Sequence, residues 1–344
     1  MSTIPLEALR RFEPDVAAGR VLYSTALGHL PPKLATIASA HFHERVRRAG
    51  PSPLLGEYAP WLVAEIIGNS HDPRVREFVT AWLHVYFFTM LLDDVIDQPN
   101  RTNRSGELLT AMVLLQEGIC ELMSNLCLDP NNRAQQLQKS FRSTALAALE
   151  ELQGYADQEK PTDLSRVGKK VSFLRICVDA LSDIAESSTE QREWLHGVIE
   201  RFGTGIQLLD DLTDWQEDLA VSHHTLPVSI ALKASPNMAS SHADRVALLE
   251  VLLQSRALEV TTMAATVEFE SATRSLEEAG LPRNNRSYLY IESLLRRGQD
   301  VVNSLLSARK RLNRTDRTGS DFLRERQVIL DEVEQTLKIV AQGS

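Results

Sequence analysis

Two runs of aspartate hold the residues whose types and spacing can do chemistry. The first is Asp93-Asp94-Val95-Ile96-Asp97; the second is Asp210-Asp211-Leu212-Thr213-Asp214, with Asp218 one turn further on. In each run the first and last Asp are four residues apart, so on a helix they lie one above the other on a single face. Both runs close apolar stretches, Phe87-Phe88-Thr89-Met90-Leu91-Leu92 and Ile206-Gln207-Leu208-Leu209. Like charges at this spacing repel by roughly 0.2–0.5 kcal/mol on an exposed helix, and by more beside a low-dielectric core. One such run reads as a solvated acidic turn, but two with matching context point to a bound cation. The donors are carboxylate oxygens with no thiolate cluster, which selects a hard ion. Mg2+ held together with phosphate oxygens fits best.

The elements that must position these runs are helices. Apolar residues recur at periods of three and four, and no convincing run alternates with period two. Helices are predicted over 5–28, 33–48, 55–68, 74–98, 105–128, 132–157, 163–187, 189–219, 225–233, 242–278, 286–312 and 320–341. The breaks carry turn residues: Pro31-Pro32, Gly50-Pro51-Ser52-Pro53, Asp72-Pro73, Asp129-Pro130, Pro161 and Gly280-Leu281-Pro282. Connections are short, so successive helices are expected as antiparallel neighbours. The expected fold is an all-α antiparallel helical bundle with a central apolar cavity. It is expected as one domain over 1–344, with the motif-bearing core at about 74–233. Trp82, Tyr86 and Thr89 share a helical face with Asp93 and Asp97, either as an aromatic-sided shaft beneath a metal mouth or as plain core packing.

Composition narrows the partners. The chain has 344 residues, 43% hydrophobic and 24% charged, as expected of a soluble globular protein. A net charge of −9 and a pI near 5.6 argue against nucleic-acid binding. Met1 to Leu30 alternates apolar and charged residues without a secretory core, and no uninterrupted apolar stretch of about 20 residues predicts a membrane span. Cys120, Cys127 and Cys177 fall within apolar helical patterns and read as buried free thiols of a reducing compartment, so a cytoplasmic location is expected.

These residues resemble the class I isoprenoid synthases, the trans-prenyltransferases and terpene cyclases that share an all-helical fold. That family carries two Asp-rich motifs on facing helices, which hold three Mg2+ ions against an allylic prenyl diphosphate. Leu91-Leu92-Asp93-Asp94-Val95-Ile96-Asp97 is similar to the first motif. Gly203-Thr204-Gly205-Ile206-Gln207-Leu208-Leu209-Asp210-Asp211-Leu212-Thr213-Asp214 is similar to the second, including the Gln three residues before its first Asp. Lys170-Val171-Ser172-Phe173 stands where the family has a Lys-Thr pair whose Lys touches the diphosphate. His223-His224-Thr225-Leu226-Pro227 resembles its Lys-x-Thr-Leu-Pro segment, with His223 in place of Lys. The likeness is specific over about 82–232 and compositional elsewhere.

The resemblance implies roles. Asp93 and Asp97 are expected to hold one pair of ions, with Asp94 hydrogen-bonding ligands or waters. Asp210 and Asp214 are expected to hold the third ion, with Asp218 as a weaker candidate. Lys170, Gln207 and Arg175 are the expected catalytic groups, and Arg166, Asp211 and His223 join Lys170 and Gln207 around the substrate. Arg166 reads equally as a surface charge, and Arg175, inside the apolar run Phe173-Leu174-Arg175-Ile176-Cys177, equally as half of a core ion pair. Tyr86, Phe88, Thr89 and Phe202 are expected to line a dry pocket for the carbocation. Thr89 and Phe88, four and five places before the first Asp, are expected to floor that pocket and favour ten- to fifteen-carbon substrates.

Two departures separate this chain from elongating enzymes. They carry Gly-Lys-x-x-Arg near the N-terminus for isopentenyl diphosphate, where this chain offers Leu30-Pro31-Pro32-Lys33-Leu34-Ala35-Thr36. They carry Arg-Arg-Gly after the first motif, where this chain has Asn100-Arg101-Thr102-Asn103-Arg104-Ser105-Gly106. A second diphosphate needs several positive groups, since unpaired anion charge in a closed pocket is costly. The expected function is therefore a Mg2+-dependent terpene synthase that ionises one diphosphate and cyclises or quenches its cation. The alternative is a prenyltransferase joining the allylic unit to isopentenyl diphosphate or another acceptor. A catalytically inactive partner subunit is a third reading, opposed by the retention of both acidic runs. A homodimer is plausible from the resemblance.

Overall fold

The structure, a computed structural model, describes residues 8–49, 54–97, 102–125, 130–154, 167–168, 171–220, 225–236, 245–314 and 320–341. Among these residues there are helices and no strand, as the periodicity predicted. They are α1 (Glu13–Leu27), α2 (Pro32–Ala49), α3 (Leu55–Ile67), α4 (Pro73–Asp97), α5 (Arg104–Asn125), α6 (Pro130–Gly154) and α7 (Leu174–Ile184). After these come α8 (Thr189–Ala220), α9 (Leu226–Ala234), α10 (Arg245–Gln254), α11 (Ala257–Glu278), α12 (Arg286–Arg314) and α13 (Ser320–Ala341). The chain divides into two compact units. One comprises Met1–Ser140, Leu174–His196 and Leu281–Tyr290; the other comprises Phe141–Phe173, Gly197–Gly280 and Ile291–Ser344.

In the first unit α4 is the central helix. It packs most extensively on α5 and also touches α1, α3 and α7. Asp72 starts it: the carboxylate accepts the Arg74 backbone N–H at 2.8 Å, and Pro73 follows at the first helical position, where a missing N–H costs nothing. α4 is long and apolar enough to cross a membrane by length and composition, yet 61% of that stretch is buried inside the structure, as expected of a core helix. Tyr23 of α1 sits against it fully buried, stacked on Phe87 at 5.2 Å and edge-on to His84 at 5.0 Å and Phe42 at 5.4 Å. Burying side chains of this size contributes about 1.5–3 kcal/mol each.

α3 shows how a sequence irregularity is absorbed. Pro60 lies inside it, and without an N–H it cannot bond the carbonyl four residues back, that of Gly56. The Trp82 indole N–H donates to that carbonyl instead, at 2.6 Å. Gly56 also has to be glycine, because a Cβ there would run into the Tyr86 ring. The α3 approach is thus set by two aromatic residues of α4.

In the second unit α8, from Gly197 onward, lies against α11. Gly205 permits close approach, since a Cβ would fall 2.6 Å from the Phe269 ring, and Phe202 packs on Phe269 at 6.2 Å. The single helix predicted over 242–278 is broken. Arg256 adopts a left-handed conformation (φ 66°) between α10 and α11, at a cost of roughly 1–2 kcal/mol for a non-glycine residue. No Gly or Pro marks the break. Just past it, buried Glu259 pairs with Arg256 at 2.7 Å and with Arg309 at 2.9 Å.

Two other predicted helices differ from expectation. In the one predicted over 5–28, residues 8–10 are helical and residues 11–12 form a turn before α1 starts at Glu13, with Pro14 in its first turn. Of the helix predicted over 163–187, residues 163–166 and 169–170 lie outside the described residues. Val171–Phe173 wind as a single 3-10 turn before α7. Cys177 is buried as expected, whereas Cys120 is exposed on α5, and Cys127 lies outside the described residues.

Candidate active site

The first acidic run occupies the last turn of α4. Asp93 is exposed, while Asp94 is buried. One Asp94 oxygen, Oδ2, lies 3.1 Å from His41 Nε2, and the other, Oδ1, accepts a hydrogen bond from Arg45 Nη2 at 2.6 Å. His41 and Arg45 stand one turn apart on α2. Burial alone would raise the Asp94 carboxyl, but the His41 hydrogen bond and the Arg45 charge outweigh it and hold it below its ordinary value. A cavity of about 330 Å3 opens beside this pair, lined among others by His41, Arg45, Leu91, Asp94, Asn103 and Glu107. Asp97 belongs to α4 by its backbone; its side chain lies outside the described residues.

The second run lies within α8, with six residues of helix still to come after Asp214. Asp210 and Asp214 are exposed, Asp218 is half-buried and Asp211 is buried. Asp211 Oδ1 accepts a hydrogen bond from Gln207 Nε2 at 3.1 Å, one turn earlier on the same helix. The Thr213 hydroxyl lies 3.1 Å from Asp214 Oδ1. Thr225 Oγ1 donates to Asp218 Oδ2 at 2.9 Å, which ties the Thr-Leu-Pro segment to the acidic face. In both runs the second Asp is turned inward to a hydrogen-bonding partner and the first is left exposed.

The remaining expected site residues separate by burial. Tyr86 is buried and stacked on Trp82 at 6.4 Å. Phe87 is the core ring of its neighbourhood, whereas Phe88 and Thr89 are half-buried, and the Thr89 hydroxyl donates to the Tyr86 carbonyl at 2.7 Å. Phe202 is buried against Phe269, and Arg175 is half-buried on α7. Arg166, Lys170 and His223 lie outside the described residues. His41 and Arg45 were not singled out from sequence. Their one local signal is a pair of basic side chains four apart on a predicted helix, which by itself names no partner.

The donor set fits Mg2+. The exposed groups of both runs are acceptor-only carboxylates. Among the described residues no three His, Cys, Asp or Glu side chains gather closely enough to cage an ion on their own. Mg2+ does not require such a cage: it keeps several waters and takes one or two carboxylates plus substrate phosphate oxygens.

No protein-family model matches the chain, and no curated protein matches it by sequence. Solved structures do match. A geranylgeranyl pyrophosphate synthase from Lactobacillus brevis superposes with a TM-score of 0.70 at 15% identity, covering 83% of this chain and 97% of that one. A polyprenyl synthase from Caulobacter crescentus, complexed with calcium and isoprenyl diphosphate, gives 0.69 at 18% identity, covering 84% and 95%. A geranylgeranyl pyrophosphate synthetase from the archaeon Geoglobus acetivorans gives 0.68 at 19% identity, covering 83% and 99%. At these identities the likeness establishes the fold: this chain has the all-helical isoprenoid synthase fold.

Proposed function

We propose that this protein is a Mg2+-dependent enzyme that breaks the carbon–oxygen bond of an allylic prenyl diphosphate, with prenyl transfer to an acceptor as the first reading. The observation that carries the proposal is the repeated arrangement of an exposed first Asp beside a buried, hydrogen-bonded second Asp. Exposed carboxylates four residues apart repel one another unless a cation joins them. Asp93 and Asp97, and Asp210, Asp214 and Asp218, are the residues assigned to Mg2+. When bound, the metal offsets the negative charge that grows on the departing diphosphate.

The chain's own side chains do the rest. Asp94 and Asp211 anchor their turns to the core, Thr213 orients Asp214, and Thr225 orients Asp218. Lys170, Arg166, Arg175, Gln207 and His223 are assigned to the diphosphate, where fixed donors and charges stabilise the leaving group. Half-buried Phe88, with Tyr86 and Phe202, is assigned to the apolar lining that keeps water from the cation.

Prenyl transfer comes first because the solved structures sharing the fold are named as prenyl diphosphate synthases. One observation favours cyclisation as the second reading: Lys33 alone stands where a basic cluster for a second diphosphate is expected. Incubation with geranyl, farnesyl and geranylgeranyl diphosphates and Mg2+, with and without isopentenyl diphosphate, separates the two. A product lengthened only when isopentenyl diphosphate is present establishes transfer, and a hydrocarbon or alcohol formed without it establishes a terpene synthase. Absence of diphosphate release with every substrate rejects both. In the same assay Phe88→Ala should shift preference toward longer chains; an unchanged preference in folded protein removes Phe88 from the pocket floor.

A further inference from the structure

We infer that His41 and Arg45 are positioning residues that set the orientation of the first acidic turn, an inference that rests on the assignment of Asp93 to Mg2+. Three aspartates fall in the last turn of α4, and that turn contains no basic residue. The C-terminal end of a helix carries a partial negative charge and its last carbonyls lack intrahelical donors, so this is where acids are least welcome and the backbone frays most readily. Such a turn gains most from a restraint supplied by another helix.

The restraint comes from α2. His41 takes one Asp94 oxygen at 3.1 Å and Arg45 the other at 2.6 Å. The His41 side chain is 7% exposed. His41 Nδ1 and Arg45 Nε are buried with no hydrogen-bond partner, so Asp94 is the one carboxylate that both side chains serve among the described residues. Adjacent helical residues point about 100° apart. Pinning Asp94 inward by two bonds thus fixes the rotation of the turn and leaves Asp93 directed outward. The second run lies inside α8, where backbone bonds continue on both sides, and Gln207 of the same helix bonds Asp211.

Mn2+ binding in the presence of inorganic diphosphate, followed by electron paramagnetic resonance, tests the inference without relying on turnover. Arg45→Met removes a positive charge, so simple Coulomb attraction would tighten Mn2+ binding. Loss of positioning would weaken it, by about tenfold, the lower end of what removing outer partners of metal ligands costs. The sign of the change therefore distinguishes the two. His41→Leu, which leaves the Arg45–Asp94 pair in place, should weaken Mn2+ binding in the same direction and carries the test should Arg45→Met not fold. Asp93→Asn is the control for the metal assignment and should weaken binding more than either. If Asp93→Asn weakens binding while folded Arg45→Met and His41→Leu bind as tightly as wild type or more tightly, the positioning role is wrong and the proposed function stands. If Asp93→Asn also binds like wild type, the metal assignment falls and the positioning role falls with it.

Discussion

In the first acidic turn the buried carboxylate, Asp94, is held by two side chains of another helix, whereas in the second the buried carboxylate, Asp211, is held by Gln207 of its own helix. The two turns are nearly identical in sequence grammar, so the difference comes from where each sits along its helix. Asp93–Asp97 end α4 at its negative pole, while Asp210–Asp214 lie inside α8 with the helix continuing to Ala220. A motif at a fraying end must borrow rigidity from a neighbour; one in a helix interior inherits it from the backbone. The same four-residue spacing can therefore present carboxylates in two environments of different stability.

Removing the buried carboxylates should expose this difference most strongly. Asp94→Ala leaves Arg45 as a charge without its partner near the core and should destabilise by about 3 kcal/mol, the low end for a broken buried pair because Arg45 is partly exposed. Urea unfolding measures it, and a loss below about 1 kcal/mol would place the clamp among ordinary surface pairs. Next come the outward carboxylates. Asp93→Ala and Asp210→Ala should each lower turnover about 100-fold or more by removing a ligand from the charge clamp. Helicity by circular dichroism should be kept and thermal stability held or raised, since repulsion is relieved. Full activity in excess chelator would end the metal reading for both turns.

Asp211→Ala should cost about 1–2 kcal/mol through loss of the Gln207 hydrogen bond, less than Asp94→Ala, where the Arg45 guanidinium loses its counter-charge. Equal losses at the two positions would mean that the two turns are held equally firmly. The smallest effect belongs to the opposite pole of α4. Asp72 sits at the positive end, where a carboxylate is favoured without help from another helix. Asp72→Ala should cost about 1 kcal/mol. The Arg74 side-chain and backbone hydrogen bonds lower the Asp72 carboxyl from 3.8 to about 2. Since this folded value lies below the ordinary one, the stabilisation is whole above about pH 4 and is lost as pH falls through about 2. Stability of wild type and Asp72→Ala should therefore converge on acidification across that window, which unfolding curves at several pH values will show.

The helical class and the acidic runs were legible because each depends on local spacing. A period of three and four among apolar residues, and Asp residues four apart, remain neighbours whatever the rest of the chain does. Asp72-Pro73 marked the start of α4 for the same reason. The break at Arg256 was not legible, since it lacks a turn residue, and neither was the pairing of buried Glu259 just past it with Arg309, far along the chain. Nor was the partnership of Pro60 and Trp82, where an indole supplies the hydrogen bond a proline cannot make possible.

The sequence by itself determined that this chain is all-helical and that it carries two carboxylate runs suited to a hard cation, because periodicity and i, i+4 spacing are properties of one helix taken alone. Only the tertiary structure decided which carboxylate of each run turns inward, that His41 and Arg45 of α2 receive Asp94, and that Phe87 rather than Phe88 is the core ring. These outcomes depend on side chains tens of residues apart meeting in space, and the strength of a charged hydrogen bond depends on the burial that such meetings create.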